Sequence, residues 1–391
     1  MRVAFTLVGG KNWTGGHNYL LNLLHAIDTY ASDRVEPVLF VDSAVKTEDV
    51  AAFETISCVT VVRTALLNAG RRPRSVAQSI ILGKDFAWEK LLLEHRINMV
   101  FEVAHFFGWR LKVPAVAWMP DFQHKYLPQL FSRGAWWKRE IGSLAQIWGG
   151  RDIMVSSEDA RQACEKFYPS TRGRIHTVHF AVPPGADLGY EEARAVADKY
   201  GLPEHFFFMP NQFWKHKNHN LVLDALALLK AQGHHVVVAA SGRQLDTRDA
   251  NHFPNFMKRL DELGLADEFR VLGLISYHDL LGLMRAGSAL LNASLFEGWS
   301  TTVEEARSLG APMVLSDLDV HKEQVGTGAT YFDRYDPQSL ASALLSFKPL
   351  TRAEREERVK EARTQAFVRV KQFANDFAGL VERCGSPRLK K

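Results

Sequence analysis

The sequence predicts an α/β protein with two doubly wound, parallel-sheet domains of the Rossmann-like type, and three observations lead to this prediction. Short β-rich apolar runs alternate with longer segments of helical periodicity, which is typical of parallel sheets. A Pro/Gly cluster at residues 182–186 interrupts the alternation, which then restarts. The length of 391 residues suits two or three domains. We therefore expect an N-terminal domain over residues 1–183, a C-terminal domain over 184–360, and a helix over 361–391 that packs back toward the N-terminal domain.

The first half contains six candidate strands and several amphipathic segments. Residues 3–8 form a short apolar run, and Gly15-Gly16 then lead into an apolar helical face over residues 19–27. Further β-rich runs predict strands at 38–41, 60–62, 99–102, 114–119 and 153–155. Helical periodicity predicts helices at 86–95, 135–147 and 157–167.

The second half repeats the same alternation after the linker. Strands are predicted at 206–209, 236–239, 270–272, 289–291 and 313–315, with helices at 218–230, 256–263, 276–285 and 302–309. From residue 351 onward, charged residues and regularly spaced phenylalanines predict one or two terminal helices with a single apolar side. Two facing α/β domains imply a cleft between them, which is the usual place for a ligand.

Composition and charge exclude several classes of protein. The formal net charge is only +4, which does not support a nucleic-acid partner. Residues 1–180 carry 22 Lys and Arg against 17 Asp and Glu, so the positive excess belongs to the first half. Cys58, Cys164 and Cys384 form no CxxC pair, which argues against zinc and against a disulfide scaffold. The sequence contains no signal peptide and no apolar run long enough to span a bilayer, so we expect a cytoplasmic protein.

The segment from Ser294 to Gly310 carries the strongest chemical signal. Glu297 follows a predicted strand, Gly298 makes a turn, and a helix begins near Thr302. Backbone N–H groups of residues 299–303 therefore point outward from a helix N-terminus, which favours phosphate binding. Two carboxylates, those of Glu297 and Glu305, flank this anion site and are suited to accept hydrogen bonds from sugar hydroxyls. The alternative is a capping box formed by Thr301 with Glu304, or by Thr302 with Glu305.

A second signal is the run from Met209 to His219, which follows a strand and opens a helix. Its lysines, Lys215 and Lys217, place positive charge where a pyrophosphate binds in α/β sheets. Alternatively, Lys215 is a solvated loop charge and Asn218 is a structural N-cap. The sequence lacks both GxGxxG and the P-loop pattern, so neither a typical dinucleotide site nor a P-loop is supported.

Together these segments resemble the retaining glycosyltransferases of the GT-B fold, in the large group that includes bacterial mannosyl- and glucosyltransferases. The resemblance is carried by Glu297 and Glu305 with seven residues between them, by the Glu-Glu-Ala-x-x-x-Gly run to Gly310, and by residues 211–219. Residues 15–16 resemble the glycine loop of that family, and residues 118–124 resemble its acceptor-side segment. These segments occur in the family's order across almost the whole chain.

The resemblance implies a role for each matching residue. In the family, the first glutamate contacts the transferred sugar and the second holds the nucleotide ribose, which assigns those roles to Glu297 and Glu305. The lysine before the helix binds the diphosphate, and here it is Lys217. Many members of the family have an arginine at the position of Gln212. Arg243 is a candidate to supply the positive charge that such an arginine would give to the diphosphate. The remaining residues expected to bind the donor are Gly16, Gly298, Trp299, Ser300, Thr301 and Thr302.

The reaction implied by the resemblance is transfer of a hexose or deoxyhexose from a GDP- or UDP-linked donor to a saccharide or lipid-linked glycan, with retention of configuration. A GDP-mannose-type donor is slightly favoured. Asp121 and His124 are the polar groups expected nearest the sugar. The alternatives are a catalytically inactive nucleotide-sugar-binding scaffold and a GT-B epimerase. Residues 317–319 read Asp-Leu-Asp, a formal DxD, but they follow the last strand of the second domain, so we expect no metal and no other cofactor.

The positive charge of the first half predicts a further partner. Residues 71–74 and 136–139 combine basic side chains with interfacial aromatics, which suits an anionic lipid surface. The alternative is a solvated loop and a helix face packed in the core. We expect the protein to lie on the inner face of the cytoplasmic membrane as a peripheral enzyme.

Overall fold

The computed structural model describes residues 1–7, 14–70, 72–103, 105–185 and 188–385. It confirms the predicted α/β class with two parallel sheets, each in its own compact unit. The first unit comprises residues 1–125, 133–181 and 369–391, and the second comprises residues 126–132 and 182–368. Arg71, part of the basic segment expected at a lipid surface, lies outside the described residues.

The first unit contains a parallel sheet whose strand order is β3-β2-β1-β4-β5-β6-β7. Its strands are β1 Arg2–Thr6, β2 Glu36–Asp42, β3 Thr60–Thr64, β4 Met99–Glu102, β5 Ala115–Trp118, β6 Asp152–Val155 and β7 Ile175–Thr177. Its helices are α1 Thr14–Tyr30, α2 Thr47–Glu54, α3 Arg72–Ile81, α4 Phe86–Glu94, α5 Gln123–Tyr126, α6 Arg133–Trp148 and α7 Glu158–Phe167.

The second unit contains a parallel sheet whose strand order is β10-β9-β8-β11-β12-β13. Its strands are β8 Phe207–Met209, β9 Val238–Ser241, β10 Phe269–Gly273, β11 Ala289–Asn292, β12 Met313–Ser316 and β13 Thr330–Phe332. Its helices are α8 Tyr190–Lys199, α9 His219–Ala231, α10 His252–Glu262, α11 Tyr277–Ala286, α12 Thr301–Leu309, α13 Asp319–Val325 and α14 Pro337–Ser346. The chain ends in α15, Arg352–Gly385, of which residues from 369 onward belong to the first unit.

The central strands of both sheets, such as β4, β6, β9 and β11, are buried on both faces, which explains their continuous apolar sequences. In β8, Phe207 and Met209 pack into one apolar cluster, whereas Phe208 packs into another. In the first unit, Phe377 of α15 lies against Phe5 of β1, with ring centroids 5.9 Å apart. The terminal helix therefore covers one face of the first sheet.

Several elements were not predicted, and some of them lack a strong apolar pattern. Helix α8 buries only small or slender side chains, Ala193, Val196 and Ala197, so its apolar stripe is weak. Strands β7 and β13 have three residues each. Strand β9 begins two residues later than predicted because residues 236–240 are uniformly apolar and do not mark its start.

The order of strands defines one position in each sheet where the connections reverse direction. In the second unit this position lies between β8 and β11, which are hydrogen-bonded neighbours. In parallel α/β sheets, ligands bind beyond the carboxyl ends of the strands at this position. The loops after β8 and β11 contain the two segments that the sequence singles out.

Candidate functional site

The loops that follow β8 and β11 are joined directly. The backbone N–H of Leu295 donates a hydrogen bond of 2.8 Å to the carbonyl of His216. Residues 215–217 form a short 3₁₀ turn at the end of the first loop. This hydrogen bond brings the lysine-containing turn beside the loop that carries Glu297.

Lys217 and Glu297 form an ion pair at the centre of this site. The Nζ atom of Lys217 is 2.5 Å from Oε1 of Glu297, and their side chains are only 11% and 10% exposed. The hydroxyl of Ser294 also donates to Glu297 Oε1, at 2.7 Å. A cation and a carboxylate are therefore held together in a largely dry setting, where charges interact more strongly than in water.

Buried polar side chains fix the loop that carries Glu297. The amide of Asn292 accepts a hydrogen bond from the Ser294 N–H at 3.1 Å and donates to the Ser300 hydroxyl at 3.1 Å. The Ser316 hydroxyl, at the end of β12, donates to the Ser294 carbonyl at 2.8 Å. The position of Glu297 is thus set by two neighbouring strands.

Helix α12 begins at Thr301, one residue before the predicted start, with Ser300 as its N-cap. The prediction that all N–H groups of residues 299–303 point outward is wrong for Ser300, whose N–H donates to Gln324 Oε1 at 3.2 Å. The next three N–H groups, those of Thr301, Thr302 and Val303, have no acceptor within the helix because they belong to its first turn. The candidate anion site therefore has one backbone N–H donor fewer than the sequence predicts.

The alternative of a capping box that starts at Thr301 or Thr302 is wrong, because the N-cap of α12 is Ser300. Ser300 makes no side-chain capping bond, and Glu304 instead accepts from Arg307 Nη1 at 2.8 Å and from Gln324 Nε2 at 3.3 Å. Glu304 is fully buried. Glu304 therefore forms a buried ion pair with Arg307 of the same helix.

Glu305, the next residue, has a different environment. It is 7% exposed, and it forms a side-chain hydrogen bond with Tyr277 at the start of α11. Burial raises the pKa of Glu305 to about 7, and the Tyr277 hydrogen bond offsets only part of this shift. Its carboxyl group therefore changes charge near neutral pH.

Asn218 ends the lysine turn in a left-handed conformation, with φ of 61°. Asparagine is among the few residues that tolerate this conformation. Asn218 occupies the N-cap position of α9 but makes no side-chain capping bond there; its Nδ2 donates to the carbonyl of Arg334 at 3.0 Å. The turn leaves Lys215 exposed and directs Lys217 to Glu297.

Gln212 joins the β8 loop to the β9 loop. Its Oε1 accepts the backbone N–H of Arg243 at 2.8 Å. The two loops approach so closely at Gly242 that a Cβ there would lie 2.5 Å from the carbonyl oxygen of Asn211. The side-chain oxygen of Gln212 is therefore used within the protein, while Arg243 is exposed.

The sequence did not identify Arg248 as part of this site. Its guanidinium pairs with Asp246 through Nε and Nη2, both at 2.9 Å, and Nη2 lies 3.2 Å from His216 Nδ1. This guanidinium holds the pKa of Asp246 below its usual value, although burial of the carboxyl group opposes the shift. Asp246 also accepts the Lys215 N–H at 3.1 Å. The only sequence signal was an Asp-x-Arg triplet, which carries no specific chemistry.

His321 lies close enough to Glu297 to interact with it electrostatically, and Asp317 is held nearby in the chain by a separate ion pair. His321 in α13 is fully buried, and its Nδ1 lies 2.9 Å from the Ser316 carbonyl. Burial lowers the pKa of His321, so the ring is neutral. Asp317, the first residue of the formal DxD, pairs with Arg334 Nη1 at 2.7 Å, whereas the Asp319 side chain is 84% exposed.

The residues predicted on the acceptor side lie in the first unit. Asp121 accepts hydrogen bonds from Arg139 Nη2 at 2.8 Å and from the Gln123 N–H at 2.9 Å. Gly16, which was expected to bind the donor, also lies in the first unit, where it is buried in the first turn of α1.

His124 is 1% exposed and lies 3.2 Å from Glu140 Oε2. Glu140 also binds Lys125 Nζ at 2.8 Å and the Tyr168 hydroxyl at 2.7 Å. Burial lowers the pKa of His124. The imidazole is therefore a neutral group in an ordered network, and it is not a surface histidine.

Comparison with known proteins gives a consistent result. Residues 192–365 match the model of the family described as "Glycosyl transferases group 1". An O-antigen chain mannosyltransferase, RfbU of Salmonella typhimurium, is 24% identical over 148 residues, covering 38% of this chain and 39% of that protein. The aligned part thus spans well under half of that relative.

Several solved structures resemble the whole chain. Anabaena HepE in complex with UDP-glucose has a TM-score of 0.71 at 14% identity, with 98% of this chain and 100% of that chain covered. WaaG, a glycosyltransferase involved in lipopolysaccharide biosynthesis, has a TM-score of 0.58 at 14% identity, with 100% of each chain covered. Residues 192–365 are therefore similar to the glycosyl transferases group 1 family, and the whole chain has the GT-B fold of two Rossmann-like units.

Proposed function

We propose that the chain is a retaining glycosyltransferase that transfers a hexose or deoxyhexose from a GDP- or UDP-linked sugar to a saccharide or lipid-linked glycan. One observation carries the proposal: the Lys217 ammonium lies 2.5 Å from the Glu297 carboxylate at the switch point of the second sheet, next to the N-terminus of α12. Positive charge and free backbone N–H groups suit a diphosphate. The adjacent carboxylate suits the hydroxyls of the attached sugar.

Each donor group has a chemical counterpart in this site. The diphosphate contacts Lys217 and the first-turn N–H groups of α12, and Gly298 and Trp299 form the turn that leads to them. Glu305 accepts a hydrogen bond from a ribose hydroxyl, and it does so more strongly when it is ionised. Lys217 then exchanges its contact with Glu297 for the diphosphate, which releases a Glu297 oxygen to the sugar.

The proposed catalysis is mainly electrostatic. The sugar leaves through an oxocarbenium-like transition state, and negative charge grows on the departing diphosphate. Lys217 and the helix N-terminus stabilise that charge in a preorganised setting, which accounts for a large share of catalysis in sites of this kind. The acceptor attacks from the face that the diphosphate leaves, and the diphosphate takes the acceptor proton. We propose that this chemistry needs no metal, and that Asp121 and His124 act on the acceptor side.

The donor remains a choice between two classes. The curated relative is a mannosyltransferase, while HepE was solved with UDP-glucose. These names support a hexose on either nucleotide, and we keep the GDP-mannose-type donor as the first to test.

The test is release of nucleoside diphosphate from a panel of UDP-, GDP-, ADP- and dTDP-sugars. We expect release with one donor class and its loss in Lys217→Ala and Glu297→Ala. The matched control is the exposed pair Lys258 and Glu262 on α10, whose side chains are 76% and 62% exposed. Alanine at either control position should leave the rate unchanged. Tight nucleotide binding without release from any donor would overturn the proposal in favour of a binding scaffold.

We also propose that the first unit binds an anionic membrane surface. Helix α6 exposes Trp137, Ile141 and Trp148, whose exposed fractions are 55%, 53% and 77%. Lys138 on the same helix is exposed as well, so aromatic and basic groups are combined as at lipid interfaces. In the described residues, no helix is both long and apolar enough to cross a membrane.

Helix α3 supports the same proposal because its burial pattern is inverted. Its serines Ser75 and Ser79 are buried, at 3% and 0% exposure, while Ile80 and Ile81 are 41% and 77% exposed. Co-sedimentation with anionic vesicles at low salt tests the proposal. Binding should weaken in a Trp137→Ser, Trp148→Ser double variant, and absence of binding by the wild type would refute it.

A further inference from the structure

Outside the proposed donor site, three metal-binding types of side chain converge in the first unit. Asp152, His176 and Cys384 each offer one ligand atom, and these atoms all lie within 4.8 Å of one another. His176 Nε2 is 3.2 Å from Asp152 Oδ1. Within the part of the chain that the structure describes, no other group of three His, Cys, Asp or Glu side chains is this compact.

The fold assembles this group from three distant segments. Asp152 opens β6, and His176 lies opposite Met154 in the neighbouring strand β7. Because alternate residues of a strand share a face, Asp152 and His176 lie on the same face of the sheet. Cys384 lies in the last turn of α15 and reaches both side chains.

The group lies at the end of the sheet where the strands begin. Asp152 is the first residue of β6, and Gly385, next to Cys384, abuts Met1 and Met99 at the starts of β1 and β4. Substrates of parallel α/β sheets bind at the opposite, carboxyl end. This group is therefore separate from the chemistry proposed for glycosyl transfer.

The ligand types and the burial of this group suit a zinc ion, and a small closure of the side chains brings their ligand atoms to zinc-binding distance. Zinc binds thiolate, imidazole and carboxylate ligands at about 2.0–2.3 Å in a tetrahedron, so the ligand atoms lie about 3.5 Å apart. Asp152 and Cys384 are 8% and 7% exposed. One thiolate and one carboxylate balance the two positive charges of zinc, and the imidazole stays neutral. The soft sulfur ligand disfavours magnesium and calcium, which prefer oxygen.

We propose that Asp152, His176 and Cys384 bind Zn²⁺ as its three protein ligands and so fasten the end of α15 to strands β6 and β7. On binding, the Cys384 thiol loses its proton to solvent as the zinc–sulfur bond forms. His176 keeps 23% of its side chain exposed, so water can complete the fourth position. The site secures the last turn of the helix that covers one face of the first sheet.

The experiment titrates the full chain, stripped with a chelator, with Zn²⁺ and with Co²⁺ as its spectroscopic substitute. We expect one ion per chain, release of a proton, and a thiolate-to-cobalt charge-transfer band. Cys384→Ser should abolish the band, and His176→Ala should weaken binding at least about tenfold. The buried thiol of Cys164 provides the matched control, and Cys164→Ser should retain both the band and the affinity. A band that persists in Cys384→Ser would overturn the proposal.

A second measurement needs no variant and covers the case in which a substitution prevents folding. Wild-type protein is alkylated slowly with and without Zn²⁺, and each cysteine is quantified by mass spectrometry. Zinc should protect Cys384 and leave the half-buried Cys58 unaffected. Equal labelling of Cys384 under both conditions would refute the site. Both measurements report on metal and thiol alone, so their outcome is independent of the proposed transferase activity.

Discussion

Neutralising Glu305 should make the ligand-free protein more stable at alkaline pH. Burial raises the pKa of Glu305 to about 7 from an ordinary value of 4.5. The folded state therefore holds this proton more tightly than the unfolded state, so the contribution of Glu305 to stability falls as pH rises from 4.5 toward 7. Each pKa unit is worth 1.36 kcal/mol, which gives about 3 kcal/mol over the full shift.

The perturbation is Glu305→Gln, which keeps the size and the acceptor oxygen for Tyr277 but cannot ionise. Between about pH 5 and about pH 8, the free energy of unfolding of the wild type should fall by about 2–3 kcal/mol relative to the variant. Denaturant unfolding followed by tryptophan fluorescence measures this difference. The control is Glu304→Gln, which should destabilise the protein at both pH values because Arg307 loses its partner at 2.8 Å. A constant difference between wild type and Glu305→Gln across this range would refute the reasoning.

Three other predictions concern the proposed donor site. Nucleoside diphosphate affinity, measured by calorimetry, should rise about tenfold from pH 6 to pH 8 as Glu305 ionises, and it should be flat in Glu305→Gln; an unchanged slope in the variant would exclude the ribose role. Lys217→Met should lower kcat with the best donor by about 10²–10³-fold, while the circular dichroism spectrum is retained; a variant that changes only KM would show that Lys217 binds without stabilising the transition state. Arg248→Gln should destabilise the second unit by about 1–3 kcal/mol because Asp246 keeps only part of its hydrogen bonding, and it should raise the KM for the donor; an unchanged melting temperature would contradict this.

The parts of the fold and site that follow from short contiguous patterns were predictable. Eleven of the parallel strands overlap predicted apolar runs, because strands in the interior of a covered parallel sheet are apolar throughout. The association of Lys217 with Glu297 also follows from sequence order, since their segments come after β8 and β11, the two strands at the switch point.

Most of the site contacts that could not be predicted from the sequence are hydrogen bonds between residues far apart in the chain. The N–H of Ser300 is taken by Gln324, which lies 24 residues further along the chain. Arg248 reaches His216 across 32 residues. Helix α3 was not predicted for a different reason. Its residues Ile80 and Ile81 are exposed, whereas Ser75 and Ser79 are buried, so the helix has no apolar buried face in its sequence. The spacing of the cysteines gave no sign that the fold brings Cys384 to His176 and Asp152.

Glu304 and Glu305 show where a local pattern is enough to separate two adjacent, chemically identical residues. Successive residues of a helix point about 100° apart, so the two carboxylates face different partners. Residues three positions apart are neighbours on a helix, and Arg307 stands three positions after Glu304. Three positions after Glu305 stands Ser308, whose hydroxyl donates to the carbonyls of Val182 and Glu304 instead. The sequence therefore already favours Glu304 as the ion-paired residue and leaves Glu305 as the buried carboxyl group whose charge a ligand can control.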